Sequence, residues 1–279
     1  MKKRLILLAI VSFIGEIVLA QNLKLMTYNI RYDNPNDGEN AWSNRKGYFC
    51  SQLKFYCPDI LGIQEALPNQ VTHIASVLSE YNSVGVARDG IGKGESSNIF
   101  FKKNRFKILQ ENTFWLSETP DKISKGWDAA LNRVCTYVLL KDLSTKQIFW
   151  VFNTHLDHIG ALARAKSVEL ILTKITTLNI KNYPVFLMGD FNSEPTEDCI
   201  LFLKSNMLDS KDISIEKPFG PSGTFNGFKH NEAVIKRIDY IFLSKENPFT
   251  VMKYAVLSDS KDLIYPSDHL PVYIELNYH

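Results

Sequence analysis

The sequence predicts an α+β domain in which two β-sheets pack face to face and helices cover their outer sides. Three observations lead to this fold. Short apolar, strand-like segments dominate the chain, helical patterns follow the first, second and middle strands, and no low-complexity stretch or charge block marks a linker. Two packed sheets with external helices would bury the apolar faces of both kinds of element. We therefore expect one large domain over residues 21–279.

The elements follow in order from the hydrophobic periodicity. A first strand alternates over 23–29, and a short buried strand at 59–65 follows a helix that stops before Pro58. The clearest helix has apolar residues at helical spacing over 161–178, and a buried strand at 184–189 follows it. Strands are predicted at 23–29, 59–65, 81–87, 97–102, 107–116, 133–140, 147–154, 184–189, 238–243, 249–256 and 272–276, and helices at 45–56, 70–78 and 161–178.

The first twenty residues are predicted to be a secretory signal peptide. Residues 2–4 are basic, an apolar run follows over 5–14, and Ala20 ends a small-residue cleavage site. The alternative is an N-terminal membrane anchor, against which Glu16 and the short apolar run argue. Cleavage would give a periplasmic or secreted protein without a stable membrane anchor, and we expect it to be a monomer.

Charge and cysteine content narrow the function classes. The chain has 32 basic and 30 acidic residues, and removal of the signal segment leaves 29 of each. Proteins that bind long nucleic acids mainly through phosphates usually carry a basic surface, so zero net charge weakens that class. A domain of this size needs no disulfide, and the four cysteines are expected to be free, buried thiols.

Polar side chains stand where several of the predicted apolar strands end or begin. Because a sheet delivers the side chains at its strand ends to one rim, we expect these residues to lie close together. They combine carboxylates for a hard metal ion, amides for orientation and two histidines for proton handling, which suits metal-assisted phosphoester hydrolysis. The candidates are Asn29, Glu65, His155, Asp157, Asp190, Asn192, Asp239, Asp268 and His269.

Individual residue types suggest individual roles, each with a plainer alternative. Mg²⁺ prefers one or two carboxylates and several waters, so Glu65 is a candidate ligand, and Asn29 could orient a water or a carboxylate. The alternatives are a surface glutamate and a turn asparagine. Strand alternation puts Asp190 and Asn192 on one face, where they could activate a water and fix a phosphate. The alternative is an Asx-turn before Pro195.

The two histidines suggest proton handling. His155 could donate to a phosphate oxygen as negative charge develops, although a histidine at a strand end is often structural. Asp239 is a carboxylate in an apolar strand, and an unpaired buried carboxylate is costly. His269 is its natural partner, since such a pair fixes the imidazole tautomer and raises its basicity. The alternative is a salt bridge from Asp239 to Arg237 or Arg133.

In their order along the chain, six segments resemble the endonuclease/exonuclease/phosphatase superfamily, which has the deoxyribonuclease I-like fold. They are Thr27-Tyr-Asn-Ile, Gln64-Glu, Asn153-Thr-His-Leu-Asp, Gly189-Asp-Phe-Asn, Arg237-Ile-Asp-Tyr-Ile and Ser267-Asp-His-Leu-Pro. The resemblance implies a four-layer αββα sandwich of two mainly antiparallel sheets. It also implies a phosphoesterase that depends on Mg²⁺ or Mn²⁺.

The same resemblance implies the metal ligands. Glu65 would bind the metal, helped by Asn29 and Asp268. Some nucleases of the superfamily carry an acidic residue two positions after the asparagine, where this chain has Arg31. The number of metal ions therefore stays open.

It also implies the proton-handling residues. Asp190 and Asn192 would position or activate the nucleophilic water, and His155 would stabilise the phosphoryl transition state. His269 and Asp239 would form a second proton-handling pair. Which of these residues is the general base stays open.

The substrate is the least determined feature. Segments at 31–45, 88–95 and 115–133 are expected to shape the rim of the pocket. The last of them resembles a bacterial exported branch of the superfamily related to the deadenylase-like exonucleases. Trp42, Trp115 and Trp127 could stack a base or a sugar ring, or simply pack. Arg133 could clamp a phosphate, or it could instead pack or form a salt bridge, and Asp157 is a further candidate for substrate binding.

We predict an exported enzyme that hydrolyses phosphodiester bonds, as an end-acting nuclease does. A phosphomonoesterase or a lipid- or sugar-phosphate hydrolase on the same site is the alternative. A non-catalytic binding domain is a third class, against which the intact set of site residues argues.

Overall fold

The computed structural model of the chain describes residues 22–278, so the predicted signal peptide lies outside the described residues. Within this range the chain has twelve strands, four α-helices and a short 3₁₀-helix at Pro35–Asn40. The elements are β1 (Asn22–Asn29), α1 (Trp42–Tyr56), β2 (Ile60–Gln64), α2 (Pro68–Val77), β3 (Tyr81–Val84), β4 (Ile99–Lys102), β5 (Phe106–Trp115), β6 (Val134–Asp142), β7 (Ile148–His155), α3 (Ala161–Leu178), β8 (Val185–Asp190), α4 (Asp198–Asn206), β9 (Met207–Asp209), β10 (Asp239–Ser244), β11 (Phe249–Val256) and β12 (Val272–Tyr278).

The strands form two six-stranded sheets. The first has the order β11-β12-β1-β2-β4-β3 and the second has the order β5-β6-β7-β8-β10-β9. Each sheet has one parallel pair, β1 with β2 and β7 with β8, and the other strand pairs are antiparallel. A helix connects the strands of both parallel pairs, as a crossover between parallel neighbours requires. The predicted mainly antiparallel sheets are confirmed.

Three apolar clusters hold four layers together. The inner cluster lies between the sheets and takes alternate residues of each strand, such as Leu25 and Met188. Met26 and Leu61 point to the other side of the first sheet and pack with α1 and α2. Phe152 and neighbouring residues of the second sheet pack with α3 and α4. The predicted αββα sandwich is therefore confirmed.

Most predicted elements are present, with shifted ends. The helix α3 has the predicted bounds, whereas the strand predicted at 81–87 ends at Val84 because Gly85 takes a positive φ of 144°. The helix α4 was not predicted, since its nine residues include three buried apolar positions, too few for a visible period. No helix among the described residues is long and apolar enough to cross a membrane.

The four cysteines are free, as predicted. Three of them, Cys50, Cys135 and Cys199, are buried, and Cys57 is half-buried at the end of α1. Cys57 takes the left-handed conformation, and its N–H donates to the carbonyl of Leu53, which ends the helix.

Candidate functional site

The strand register brings the predicted polar residues to one rim between the sheets. His155 ends β7, Asp190 ends β8 and Asp239 begins β10, and pairing places Asp190 beside both of the others. All three follow the alternation that points apolar neighbours such as Met188 into the inner cluster. Asn29 ends β1 on the inner face of the other sheet, so both sheets contribute to the site.

His269 and Asp239 form the predicted pair. His269 Nδ1 lies 2.9 Å from Asp239 Oδ2, and both residues are buried. The alternative salt bridge is absent from the described residues, because Arg237 pairs with Asp209 at 2.6 and 2.8 Å. The other ring nitrogen of His269, Nε2, lies 3.8 Å from Asp190 Oδ2. His269 thus bridges two carboxylates.

Asp190 is the centre of the polar cluster. Its Oδ1 accepts a hydrogen bond from the backbone N–H of Asn192 at 2.8 Å, and its Oδ2 accepts from Asn29 Nδ2 at 2.9 Å. His155 Nε2 lies 3.5 Å from Asp190 Oδ2 and 3.0 Å from Asn192 Nδ2. The backbone of Asn192 takes a positive φ of 47°, a conformation that costs energy for residues other than glycine and that the surrounding contacts hold here.

The surroundings give the two histidines opposite protonation states near neutral pH. Burial disfavours the charged form of His269, but Asp239, followed by Asp190 and Asp268, outweighs burial and raises its pKa to about 10. Burial, with the positive charge of Arg133, holds the pKa of His155 well below its ordinary value. His269 is thus a cation and His155 is neutral.

Burial also raises the pKa of the carboxyl group of Asp190, with a further contribution from the negative charge of Asp239. A carboxylate with a raised pKa is a better proton acceptor near neutral pH. The carboxyl of Asp190 is therefore suited to take a proton from a water molecule in the cleft.

Glu65 and Asp268 offer oxygen ligands for a divalent metal. Glu65 takes a positive φ of 63° directly after β2, and its carboxylate accepts from Asn29 Nδ2 at 3.0 Å and from the N–H of Tyr32 at 3.1 Å. Burial raises the pKa of Asp268 to about 6, with Glu65 adding to the shift. A half-buried carboxylate close to a buried one favours a bound cation, and their hard oxygens fit Mg²⁺ or Mn²⁺.

The other predicted metal ligand, Asn29, has an orienting position. Its Nδ2 donates to Glu65 and to Asp190, and its Oδ1 accepts from the N–H of Arg31 at 3.0 Å. Asn29 therefore sets the distance between the carboxylates of Glu65 and Asp190. Direct ligation of the metal by Asn29 stays a prediction. Arg31 lies 3.8 Å from Asp268 and pairs with Asp37.

A buried guanidinium that the sequence did not single out supports this side of the site. Arg45 of α1 donates to the carbonyl oxygens of Ile30 at 2.6 Å, Arg31 at 2.7 Å and Pro266 at 3.0 Å. These carbonyls belong to the two loops that carry Asn29 and Asp268. Arg45 thus holds the backbone of both loops through their carbonyl oxygens.

A layer of amide side chains under the site joins the two sheets. Gln64 Nε2 donates to Asn153 Oδ1 at 2.7 Å and to Thr27 Oγ1 at 3.0 Å. Asn153 Nδ2 in turn donates to the carbonyls of Ile63 and Asn98, both at 2.9 Å. Because Asn153 belongs to the second sheet and its partners to the first, these bonds fix the position of one sheet on the other.

The predicted site residues at the strand ends open into a cleft of about 620 Å³. Catalytic candidates lie at its base, and cations from several loops surround them. Several lining residues were not predicted individually, because loops have no periodicity to reveal a side chain's direction; some of them lie in the predicted rim segments 88–95 and 115–133, and others lie outside these segments. They are Arg88, Glu95, Leu131, His158, Phe225 and Lys236. The aromatic ring of Phe225 is about one-third exposed and meets the ring of His269 edge-on at 5.1 Å.

Arg133 lines the cleft, but Asp157 supports it from behind. Asp157 is buried, and its carboxylate lies 3.3 Å from Arg133 Nε and accepts from the N–H groups of Ile159 and Gly160. Arg133 Nη2 lies 2.9 Å from His158 Nδ1. Asp157 does not line the cleft, because its oxygens hold Arg133 and the following loop, and its part in substrate binding stays a prediction.

The tryptophans predicted to stack on substrate do not line this cleft. Trp42 is buried against Phe49, so packing is its role. Trp115 is half-buried, and its indole N–H donates to the carbonyl of Arg88 at 2.7 Å. Trp127 is half-buried with a positive φ of 50°. Trp115 therefore supports a cleft loop from outside the cavity.

Two solved structures from Bacteroides thetaiotaomicron are similar over nearly the whole chain. An endonuclease/exonuclease/phosphatase family protein is 36% identical with a TM-score of 0.88, and the match covers 93% of this chain and 98% of that one. A mannosyl-6-phosphatase is 37% identical with a TM-score of 0.87, and the match covers 92% of this chain and 100% of that one.

The resemblance to the deadenylase-like branch is confirmed by a more distant match. The 3'-5'-exoribonuclease subunit Ccr4 of the CCR4-Not complex of Saccharomyces cerevisiae is 22% identical over 296 residues. The match covers 83% of this chain and 35% of Ccr4, so this chain spans about a third of that relative's length. The model of the Endonuclease/Exonuclease/phosphatase family matches residues 26–269, and the chain belongs to this family.

Proposed function

We propose that this chain is an exported, divalent-metal-dependent phosphomonoesterase that hydrolyses sugar phosphates. The observation that carries the proposal is the bounded cleft of about 620 Å³, which ends at the buried carboxylates and histidines. Sites for small molecules have volumes of about 300–1,000 Å³. A single sugar phosphate fits this size, whereas a duplex needs an extended basic surface.

The metal would be held by Glu65 and Asp268 and would polarise the phosphoryl oxygen, as divalent ions generally do in this superfamily. Asp190, held by the N–H of Asn192 and by Asn29, would accept the proton of the attacking water. The cationic His269 would stabilise the negative charge that develops on the phosphoryl group.

Arg133 provides a fixed cation for the phosphate. Its guanidinium lines the cleft, and the contact with Asp157 prevents it from turning away. Lys236 and Arg31 add positive charge elsewhere on the same lining. A monoester phosphate carries up to two negative charges, one more than a diester, so Arg133, Lys236 and the cationic His269 would attract the monoester more strongly.

The relatives support the same choice. A mannosyl-6-phosphatase is similar over its full length at 37% identity, whereas the exoribonuclease subunit Ccr4 is 22% identical. The sequence had favoured a phosphodiesterase, and a diesterase that acts on chain ends remains the second candidate because of the match to Ccr4.

A substrate panel tests the proposal. Mannose 6-phosphate, glucose 6-phosphate, p-nitrophenyl phosphate, bis-p-nitrophenyl phosphate, inositol phosphates, sphingomyelin and single-stranded DNA and RNA would each be assayed with Mg²⁺ and with Mn²⁺. We expect kcat/KM on the best sugar phosphate to exceed that on every diester by at least about tenfold. Higher kcat/KM on an oligonucleotide would replace the proposal with the nuclease. The variant Asp190→Ala, purified in parallel, controls for contaminating phosphatases.

Export has its own test. The full chain would be expressed in a Gram-negative host, and the mature protein would be isolated from the periplasm and the medium. We expect its N-terminal residue to be Gln21, since the cleavage site ends at Ala20. Recovery of the uncleaved chain in the membrane fraction would instead indicate an anchor.

A further inference from the structure

One wall of the cleft holds an ion pair that the proposed chemistry does not use. Arg88 and Glu95 are joined by two parallel contacts, Nη2 to Oε1 at 2.8 Å and Nη1 to Oε2 at 2.9 Å. Their side chains are 12% and 15% exposed. Both residues line the cleft, and together with Glu65 and His155 they also line the narrow recess that adjoins it. The pair is therefore immediately beside the reaction centre.

The loop that carries this pair is closed without it. The N–H of Arg88 donates to the carbonyl of Glu95 at 2.8 Å, and the N–H of Ser96 donates to the carbonyl of Ala66 at 2.9 Å. The indole of Trp115 holds the carbonyl of Arg88 from outside. These backbone contacts fix the loop, so the ion pair is not needed to close it, and the loop holds the two side chains at a defined place.

The position of Glu95 is costly for a purely structural residue. Its carboxylate lies in a partly buried wall on the same recess as the carboxylate of Glu65, so two negative charges are close together. A bidentate pair with Arg88 offsets part of this cost and holds both groups in a plane. Each carboxylate oxygen keeps a free acceptor position, and the guanidinium keeps further N–H donors.

This combination matches a hydroxyl group, which both donates and accepts hydrogen bonds. We propose that the Arg88–Glu95 pair binds hydroxyl groups of the sugar and makes the enzyme select sugar phosphates over phosphate esters that lack hydroxyls. The inference rests on the proposed function and names the residues that would determine its specificity. A site that hydrogen-bonds a substrate hydroxyl strongly rejects an analogue without it, because its polar groups are then left unpaired.

The test measures whether the loss of kcat/KM on removing a substrate hydroxyl depends on an intact Arg88–Glu95 pair. Wild type and Glu95→Gln would be assayed with Mn²⁺ on glucose 6-phosphate and on its 2-deoxy, 3-deoxy and 4-deoxy analogues, with p-nitrophenyl phosphate as the ester without a sugar. For wild type we expect at least one deoxy analogue to lower kcat/KM by about tenfold or more. For Glu95→Gln the same deletion should change kcat/KM by less than about threefold, because the neutral amide is a weaker acceptor and cannot keep both contacts with Arg88.

Two further variants separate specificity from structure. Arg88→Lys should reduce the same hydroxyl dependence from the other side of the pair. Asp89→Asn is the matched control, because Asp89 lies 3.8 Å from Arg88 Nε and accepts from Asn132 but does not line the cleft. It should keep the wild-type hydroxyl dependence. Thermal unfolding of each variant shows whether the loop and the domain remain folded.

The outcomes are distinguishable. If wild type hydrolyses p-nitrophenyl phosphate but no sugar phosphate, the proposed function fails, and the inference fails with it. If wild type hydrolyses sugar phosphates and Glu95→Gln keeps the full dependence on every hydroxyl, only the inference is wrong. An equal loss of kcat/KM on all substrates in Glu95→Gln would also overturn the inference, since that pattern indicates that Glu95 supports the metal ligand Glu65 and does not bind the sugar.

Discussion

The variant Asp239→Asn removes one negative charge from beside His269 and leaves the shape of the side chain almost unchanged. Asp239 Oδ2 lies 2.9 Å from His269 Nδ1, and its charge is the main reason that the pKa of His269 is raised to about 10 despite burial. Without that charge, the pKa should fall toward its ordinary value of 6.5, because burial is then opposed only by the weaker contributions of Asp190 and Asp268. The variant therefore changes the protonation state of one cleft group.

The size of the effect follows from the two pKa values. At pH 8 an imidazole with a pKa of about 10 is charged in about 99% of molecules, and one with a pKa of 6.5 is charged in roughly 3%. At pH 6 the second imidazole is charged in about three quarters of molecules. If the cationic form of His269 is the active one, the ratio of wild-type to variant kcat/KM should rise between pH 6 and pH 8, by about twentyfold where the variant pKa reaches 6.5.

Steady-state kinetics on the best substrate at several pH values, with saturating Mn²⁺, measure this ratio. The variant His269→Ala is the control, and it should lose at least about a hundredfold at both pH values, because it has no imidazole to titrate. A loss in Asp239→Asn that is the same at pH 6 and pH 8 would refute the reasoning, because Asp239 would then act through orientation alone.

Four other predictions test the site and the fold. Removal of metal by EDTA should abolish activity reversibly. The gain in Tm on adding Mn²⁺ should be larger at pH 8 than at pH 5, because the raised pKa of Asp268 makes the folded apo-protein lose stability as pH rises. A larger gain at pH 5 would contradict this. Asp190→Ala should lower kcat by at least about a hundredfold with the fold retained, as measured by circular dichroism and kinetics, and near wild-type turnover would remove Asp190 from the mechanism. Gly62→Ala should destabilise by about 1–3 kcal/mol in urea unfolding, since the added Cβ would lie 2.8 Å from Asn153 Cγ, whereas the control Gly47→Ala, which meets no atom within 4 Å, should be neutral or stabilising. A closed circular plasmid should remain intact on incubation with the enzyme and Mn²⁺, and rapid nicking that is lost at moderate salt would indicate an endonuclease.

The strand-end residues could be predicted because strand geometry is regular. Alternation along β7, β8 and β10 sends every second side chain inward, so a polar residue that continues an apolar inner face must lie at the edge of the inner cluster. The pairing of Asp239 with His269 followed from the cost of an unpaired buried carboxylate. In both cases one physical rule acts over a long, regular element.

The loops obey no such rule. The three tryptophans were equally good candidates for stacking, but Trp42 is buried and Trp115 uses its N–H on a backbone carbonyl. Glu95 gave no signal because a single glutamate in a glycine-rich loop is usually solvated. Its position depends on how the loop folds back, which is decided by contacts with residues distant in sequence, such as Trp115.

The site joins residues that are far apart in sequence, and this has a consequence for how activity arises during folding. The hydroxyl of Ser267 donates to the carbonyl of Asn29, across 238 positions of sequence, and Asn29 meets Asp190 across 161. Contacts at such separation require large loops to close and form slowly. A chain still growing from its N-terminus cannot complete the site before Asp268 and His269 are made, because they follow the other site residues in sequence. Enzyme activity should therefore return in the final kinetic phase of refolding, after secondary structure has formed.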